Sequence, residues 1–158
     1  MVLLIRRAQA LMEAAGDDGD FDALCQQLHR YQATLRTCFT LENFDNLIKN
    51  GRMRPLVGTL LRSLGIHIIA DATAEGTIHV ADKARGVGKT YRAITALMKA
   101  SKDCTDAEVV ISHCENLEGA MALKRQILAD LPVKQVDLLS CRGLTSFYAM
   151  EKGLIVGY

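Results

Sequence analysis

The segment Leu41–Asp71, LENFDNLIKNGRMRPLVGTLLRSLGIHIIAD, constrains the fold more than any other part of the chain. It predicts a short helix that ends at Lys49, a second helix that begins at Pro55 and stops at Gly65, and then a hydrophobic strand. Proline is favoured in the first turn of a helix and glycine just past its end. The segment therefore predicts two consecutive helices, separated by a glycine break, that lead into a β-sheet.

The rest of the chain alternates between the periodicities of strands and helices. Strands are predicted at 36–41, 66–70, 77–82, 108–112, 136–139 and 154–156. Helices are predicted at 3–15, 20–36, 41–49, 55–64, 90–102, 117–131 and 144–150. The turn residues at 74–76 join two strands as an antiparallel hairpin, so we expect an α/β fold with a mixed sheet and helices packed on it.

Composition excludes several classes of function. The 158 residues are 49% hydrophobic and 23% charged, which is typical of one globular domain. Nineteen basic against eighteen acidic residues give no excess positive charge for a nucleic-acid backbone. The five cysteines contain no CxxC pair, so we expect reduced thiols and no metal cluster. Four apolar residues between Met1 and Arg6 are too few for a signal or a membrane span, and a cytoplasmic location is predicted.

The motif Lys49-Asn50-Gly51-Arg52, the leucine-rich helix that follows and the order of elements resemble the DegV family of bacterial fatty-acid-binding proteins. The resemblance extends over almost the whole chain. Proteins of this family have two domains, and the similarity is to the C-terminal one. It implies that residues 37–158 form a DegV-like C-terminal α/β domain and that residues 1–36 are a helical lead-in from the preceding domain. The N-terminal domain, whose Ser and Thr hydroxyls hold the carboxylate, has no counterpart here.

The resemblance also implies a function: the chain covers the acyl tail of a long-chain fatty acid and helps to present its carboxylate to a fatty acid kinase. No catalysis, cofactor or metal is implied. Arg52 matches an arginine at the kinase-docking surface, although a helix cap with a solvated cation is the simpler interpretation. Tyr148 stands where the family has a histidine, and Met150-Glu151-Lys152 replaces its Gly-Pro-Gly. The expected lipid-binding residues are Leu56, Leu60, Leu61, Leu64, Thr145, Ser146, Phe147 and Tyr148.

Two other functions are compatible with the sequence. Gly86–Thr90 ends in Gly-Lys-Thr before a helix, as a phosphate-binding loop does, but Lys83 occupies the position of that motif's first glycine. The helix at 55–64 has an apolar face that suits a lipid-free protein-interaction module. Such a face, with Phe147, also predicts self-association of this chain as a homodimer.

Overall fold

The described part of the chain is a mixed six-stranded sheet with helices on both faces, which confirms the predicted α/β class. A computed structural model describes residues 1–16, 19–53, 65–73 and 76–158. The strands in these ranges are β1 (Thr37–Leu41), β2 (Ile66–Ala72), β3 (Ile78–Arg85), β4 (Glu108–His113), β5 (Gln135–Ser140) and β6 (Leu154–Gly157). The helices are α1 (Val2–Ala15), α2 (Phe21–Thr34), α3 (Asp45–Lys49), α4 (Val87–Ser101), α5 (Leu117–Asp130) and α6 (Leu144–Ala149).

The strand order is β3-β2-β1-β6-β4-β5. Strands β4 and β5 are parallel, and the other neighbouring pairs are antiparallel. The predicted hairpin is therefore confirmed as the β2–β3 pair at one edge of the sheet. Strand β1 lies in the interior, where Cys38 is opposite Asp71 on one side and Val156 on the other.

Successive side chains of a strand point to opposite faces of the sheet, and this alternation divides the core into two clusters. On what we call the α4–α5 face, Cys38 and Ile69 pack in the cluster that includes Ile94 and Leu123 from these helices. On the α3–α6 face, the cluster includes Leu41, Phe44, Leu47, Met53, Ile68, Ala70 and Ala149. Both faces of the central strands are consequently apolar.

Helices α1 and α2 pack on each other, and α1 contacts the sheet. In α1, Arg6 forms ion pairs with Asp137 of β5 and Glu108 of β4, and Leu3 is buried. A guanidinium from α1 also lies over an aromatic ring of α2, with Arg7 5.8 Å from the centre of the Tyr31 ring. The boundary at residue 36 stays a prediction, because nothing in these contacts assigns the two helices to another domain.

Several boundaries differ from those predicted. Helix α4 begins at Val87, three residues before Thr90, because Gly86 with φ +85° turns the chain directly from β3 into the helix. Helix α3 begins at Asp45, whose amide donates to the Asn43 side chain. The helix predicted at 55–64 lies outside the described residues. Within the described ranges, no helix has both the length and the apolar character needed to cross a membrane.

The α4–α5 face should dominate the stability of the domain. Leu123 of α5 is fully buried there, whereas Leu128 of the same helix is 47% exposed. We expect Leu123→Ala to lower the free energy of unfolding by about 2–5 kcal/mol, because it removes buried methyl groups and leaves a cavity. The matched control Leu128→Ala should change it by less than about 0.5 kcal/mol. Urea unfolding followed by circular dichroism measures both, and equal effects would contradict this packing.

Candidate functional site

A cavity of about 440 Å³ lies on the α3–α6 face of the sheet. Its floor comes from Phe39 and Leu41 of β1 and Ile155 of β6. The other described lining residues are Leu47, Gly51, Arg52, Gly76, Thr77, Ile78, Tyr148 and Ala149, from α3, the β2–β3 hairpin and α6. The volume lies in the range of small-molecule binding sites, and an apolar lining with a few polar groups is typical of them.

Arg52 is the only charged residue among the described residues that line this cavity. Helix α3 ends in a tight turn at Gly51, whose φ of +67° suits glycine. The amides of Gly51 and Arg52 donate to the carbonyl oxygens of Ile48 and Leu47 at 3.0 and 2.8 Å. The backbone of Arg52 is thereby fixed while its side chain is exposed. A permanently charged guanidinium at this position can bind a carboxylate through two parallel hydrogen bonds.

Helix α6 forms the wall that faces α3. Asn46 of α3 donates from its side chain to the carbonyl oxygen of Phe147 at 2.6 Å, which joins the two short helices. The Phe147 and Tyr148 rings meet edge to face, with centroids 5.1 Å apart. Tyr148 is half-buried, packs against the cluster of the α3–α6 face and forms part of the cavity wall.

The chain after α6 has two residues with positive φ, Met150 and Lys152, at positions where the resemblance expects glycine. Met150 has φ +53° and ψ −179°, a combination that is almost restricted to glycine, and Lys152 has φ +66°. Two residues with side chains therefore occupy a backbone path that favours glycine. Lys152 also forms an ion pair with Glu42 at 3.6 Å, and its carbonyl oxygen accepts from Asn116.

The structure separates the predicted lipid-binding residues. Tyr148 lines the same cavity as Arg52, the predicted partner-docking residue, and the 46% exposed Phe147 meets the Tyr148 ring. Ser146 is half-buried and is not among the cavity-lining residues, and Thr145 lines a different depression with Leu3 and Arg142. The predicted residues Leu56, Leu60, Leu61 and Leu64 lie outside the described residues. Their roles, like that of Arg52, stay predictions.

Sequence reasoning missed the floor of the cavity. Phe39 and Ile155 are opposite each other in the β1–β6 pair although 115 positions separate them in the chain. Period-two alternation in 37–41 could have shown that Phe39 and Leu41 share a face. The pairing of β1 with β6 is a long-range contact, and no local signal in the sequence reveals it.

The environment of Gly86–Thr90 differs from that of a phosphate-binding loop. Strand β3 is an antiparallel edge strand, and the residues after Gly86 already form the first turn of α4. The Thr90 hydroxyl donates back to the Gly86 carbonyl oxygen at 3.1 Å, a bond within the helix. No group of three or more potential metal ligands occurs in the described part of the chain.

His113 has a structural contact at the end of β4. Its ring is buried, and its Nδ1 accepts from the backbone amide of Asn116 at 3.4 Å. The Asn116 side chain in turn accepts from the amide of Gly119 and caps α5. Both contacts order the connection between β4 and α5.

Comparison with known proteins identifies the family. The sequence profile described as "Uncharacterised protein, DegV family" matches residues 3–154. The chain therefore belongs to the DegV family. It is 32% identical over 151 residues to a DegV domain-containing protein of Streptococcus gordonii, a match that covers 95% of this chain and 53% of the relative.

Solved structures of similar proteins contain fatty acids. The Fatty Acid Kinase (Fak) B3 protein of Streptococcus pneumoniae, loaded with linoleic acid, is 31% identical with a TM-score of 0.88. That match covers 99% of this chain and 54% of the other. A DegV family protein of Eubacterium eligens, loaded with heptadecanoic acid, is 25% identical with a TM-score of 0.89 over 98% of this chain and 55% of the other. The chain thus spans about half the length of the relatives it matches.

Replacing Met150 by glycine should stabilise the protein. A side chain at this φ and ψ costs about 1–3 kcal/mol, and glycine relieves that strain while it adds freedom to the unfolded chain. We expect Met150→Gly to raise the free energy of unfolding by about 1 kcal/mol, measured by urea unfolding. Glu151→Gly is the control, since Glu151 is not among the residues with positive φ and should gain nothing. A destabilised Met150→Gly variant would show that the Met150 side chain contributes more than its backbone strain costs.

Proposed function

We propose that this chain is the acyl-covering domain of a fatty-acid carrier. The observation that supports this most strongly is the cavity on the α3–α6 face, which combines a strand floor of Phe39, Leu41 and Ile155 with Arg52 at its side. Apolar walls suit a hydrocarbon tail, and a single cation suits the carboxylate at its end. The fatty acids in the structures of the S. pneumoniae and E. eligens relatives support the same ligand class.

The energetics of burial agree with this role. About a dozen methylenes, each contributing roughly 0.8 kcal/mol, give on the order of 10 kcal/mol of gross stabilisation when an acyl chain leaves water. Ordering the chain and the pocket offsets much of this gain. The affinity for the fatty acid then depends on how many hydrogen-bond donors contact its carboxylate. We infer that Arg52 is one contact and that the main hydroxyl contacts come from the N-terminal domain that the family resemblance implies.

We further propose that the bound carboxylate is presented to a fatty acid kinase at the surface around Arg52. Arg52 is exposed at a turn whose position is fixed by backbone hydrogen bonds, so it can contact a partner without a change in the fold. The name of the similar S. pneumoniae protein, Fatty Acid Kinase B3, supports a partner of this kind. In this role the chain is a carrier and the phosphoryl transfer takes place on the kinase.

The 158-residue chain alone should bind fatty acid weakly, because the carboxylate would lack most of its hydrogen-bond donors. In isothermal titration with oleate below its self-association range, we expect a dissociation constant above about 1 μM. Methyl NMR locates the binding: Ile78, which lines this cavity and not the depression of Thr145, should shift together with Ile155, which lines both. Ile94, Ile111 and Ile127, which are buried on the α4–α5 face, should not. Submicromolar stoichiometric binding would show that the carboxylate site lies within this chain, and unchanged Ile78 and Ile155 signals would exclude the cavity.

Arg52 should matter more for transfer than for affinity. In a protein that contains both domains, we expect Arg52→Ala to reduce acyl-phosphate formation by the kinase about tenfold or more, as the loss of a charge-assisted hydrogen bond does. Fatty-acid affinity should fall less than about fivefold, and thermal stability should stay within the range of surface substitutions. Lys49→Ala is the matched control, because Lys49 is an exposed cation at the end of α3 outside the cavity lining. If the Arg52→Ala protein keeps full turnover with the kinase, Arg52 has no role in transfer and serves only as a helix cap.

A further inference from the structure

Two cysteines follow the parallel strands β4 and β5 at equivalent positions. His113 is opposite Ser140 at the end of the parallel pair, and Cys114 and Cys141 are the next residues. The amide of Cys141 donates to the carbonyl oxygen of His113 at 2.7 Å, which extends the ladder beyond its last paired residues. The backbone therefore holds the two cysteines side by side.

The two thiols also lie on the same face of the sheet. Both cysteines pack against the apolar cluster of the α3–α6 face, as the alternation of the two strands requires. Neighbouring strands are about 4.8 Å apart, and the Cα atoms of a disulfide are usually about 4.4–6.8 Å apart. Burial is the main cause that raises the pKa of the Cys141 thiol, and the proximity of Cys114 adds to it. This mutual influence agrees with the close placement.

We propose that Cys114 and Cys141 are a reversible redox pair that closes to a disulfide. Hydrogen peroxide oxidises one thiol to a sulfenic acid, with release of one water. The sulfur of the second cysteine then attacks the sulfenic sulfur, the S–S bond forms and a second water leaves. Two electrons pass from the two sulfurs to the peroxide, and a dithiol reductant reverses the change by thiol–disulfide exchange.

The remaining cysteines lack such a partner. Cys38 is opposite Asp71 and Val156 and is fully buried, and its burial raises the pKa of its thiol to about 12. Cys104 is buried and donates weakly to backbone carbonyl oxygens. Cys25 is half-buried on α2. The pairing is therefore specific to the ends of β4 and β5.

A disulfide between Cys114 and Cys141 would affect α6. Cys141 comes two residues before Gly143, which has φ +53° and is the N-cap of α6. A disulfide would tie this entry to the end of β4, and α6 supplies Tyr148 and Ala149 to the cavity wall. Oxidation should therefore stiffen that wall. This effect depends on the position of α6 and holds whatever ligand the cavity takes.

The first experiment is an equilibrium titration of the native 158-residue chain in mixtures of reduced and oxidised glutathione, followed by alkylation and peptide mapping. We expect an intramolecular Cys114–Cys141 disulfide in the monomer, with the maleimide labelling of both residues reduced at least tenfold. Cys25→Ser should form the same disulfide, and Cys141→Ser should form none. The proposal would be overturned if Cys114 and Cys141 stay free in the most oxidising mixture. It would also be overturned if they link only in denaturant or only between two chains.

The second measurement tests the effect on α6. Hydrogen exchange of the amides in Leu144–Ala149 should slow on oxidation of the wild-type chain and of Cys25→Ser. In Cys141→Ser the oxidant should leave these rates unchanged, and circular dichroism checks that this variant is folded. Equal exchange in both redox states of the wild type would show that the disulfide does not act on the cavity wall.

Discussion

The structure depends on one constraint: strands β1 and β6 lie in the interior of the sheet, so both of their faces must be apolar. In each strand, successive side chains point to opposite faces. Cys38 and Val156 belong to the cluster of one face, and Phe39 and Ile155 pack against the cluster of the other. The first cluster is closed by α4 and α5. On the second face, the same need for apolar side chains gives an apolar floor. The short helices α3 and α6 cover it only in part, and a cavity lies between them. The candidate site is thus a consequence of how the sheet is assembled.

Much of the local structure could be predicted because it depends on local signals. The hairpin, the glycine turn after α3 and the types of the described helices follow from periodicity and turn residues. The site could be predicted only in part. Arg52 and Tyr148 were recognised individually, but their meeting at one cavity requires the antiparallel pairing of β1 with β6, which periodicity does not specify. The resemblance grouped Thr145 with Tyr148, and in the structure Thr145 lines a neighbouring depression that shares Ile155 with the cavity.

The segment after α6 holds residues with side chains in backbone conformations that favour glycine. Met150 and Lys152 both have positive φ. Surrounding contacts hold this path, since the amide of Lys152 donates to the Cys114 carbonyl oxygen and the amide of Cys114 donates to that of Gly153. Gly153 itself cannot be enlarged, because a Cβ would approach the Ala149 carbonyl oxygen at 2.3 Å. The hydrogen bonds with Cys114 and the tight contact of Gly153 with Ala149 therefore hold the strained backbone in place.

The resemblance places Tyr148 where the family has a histidine, and a tyrosine there would change the chemistry that the cavity offers to an anion. A histidine can take up a proton near neutral pH and then donate with a positive charge, whereas a phenol hydroxyl donates one hydrogen bond without that charge. Among the described lining residues, the positive charge at the cavity then comes from Arg52 alone, and a guanidinium stays charged across the physiological range. In the carrier that we propose, Arg52 would attract the carboxylate by its charge, and Tyr148 would be a neutral hydrogen-bond donor. The distance between the Arg52 guanidinium and the apolar floor of the cavity would depend on the positions of α3 and α6. The Asn46–Phe147 hydrogen bond joins these two helices.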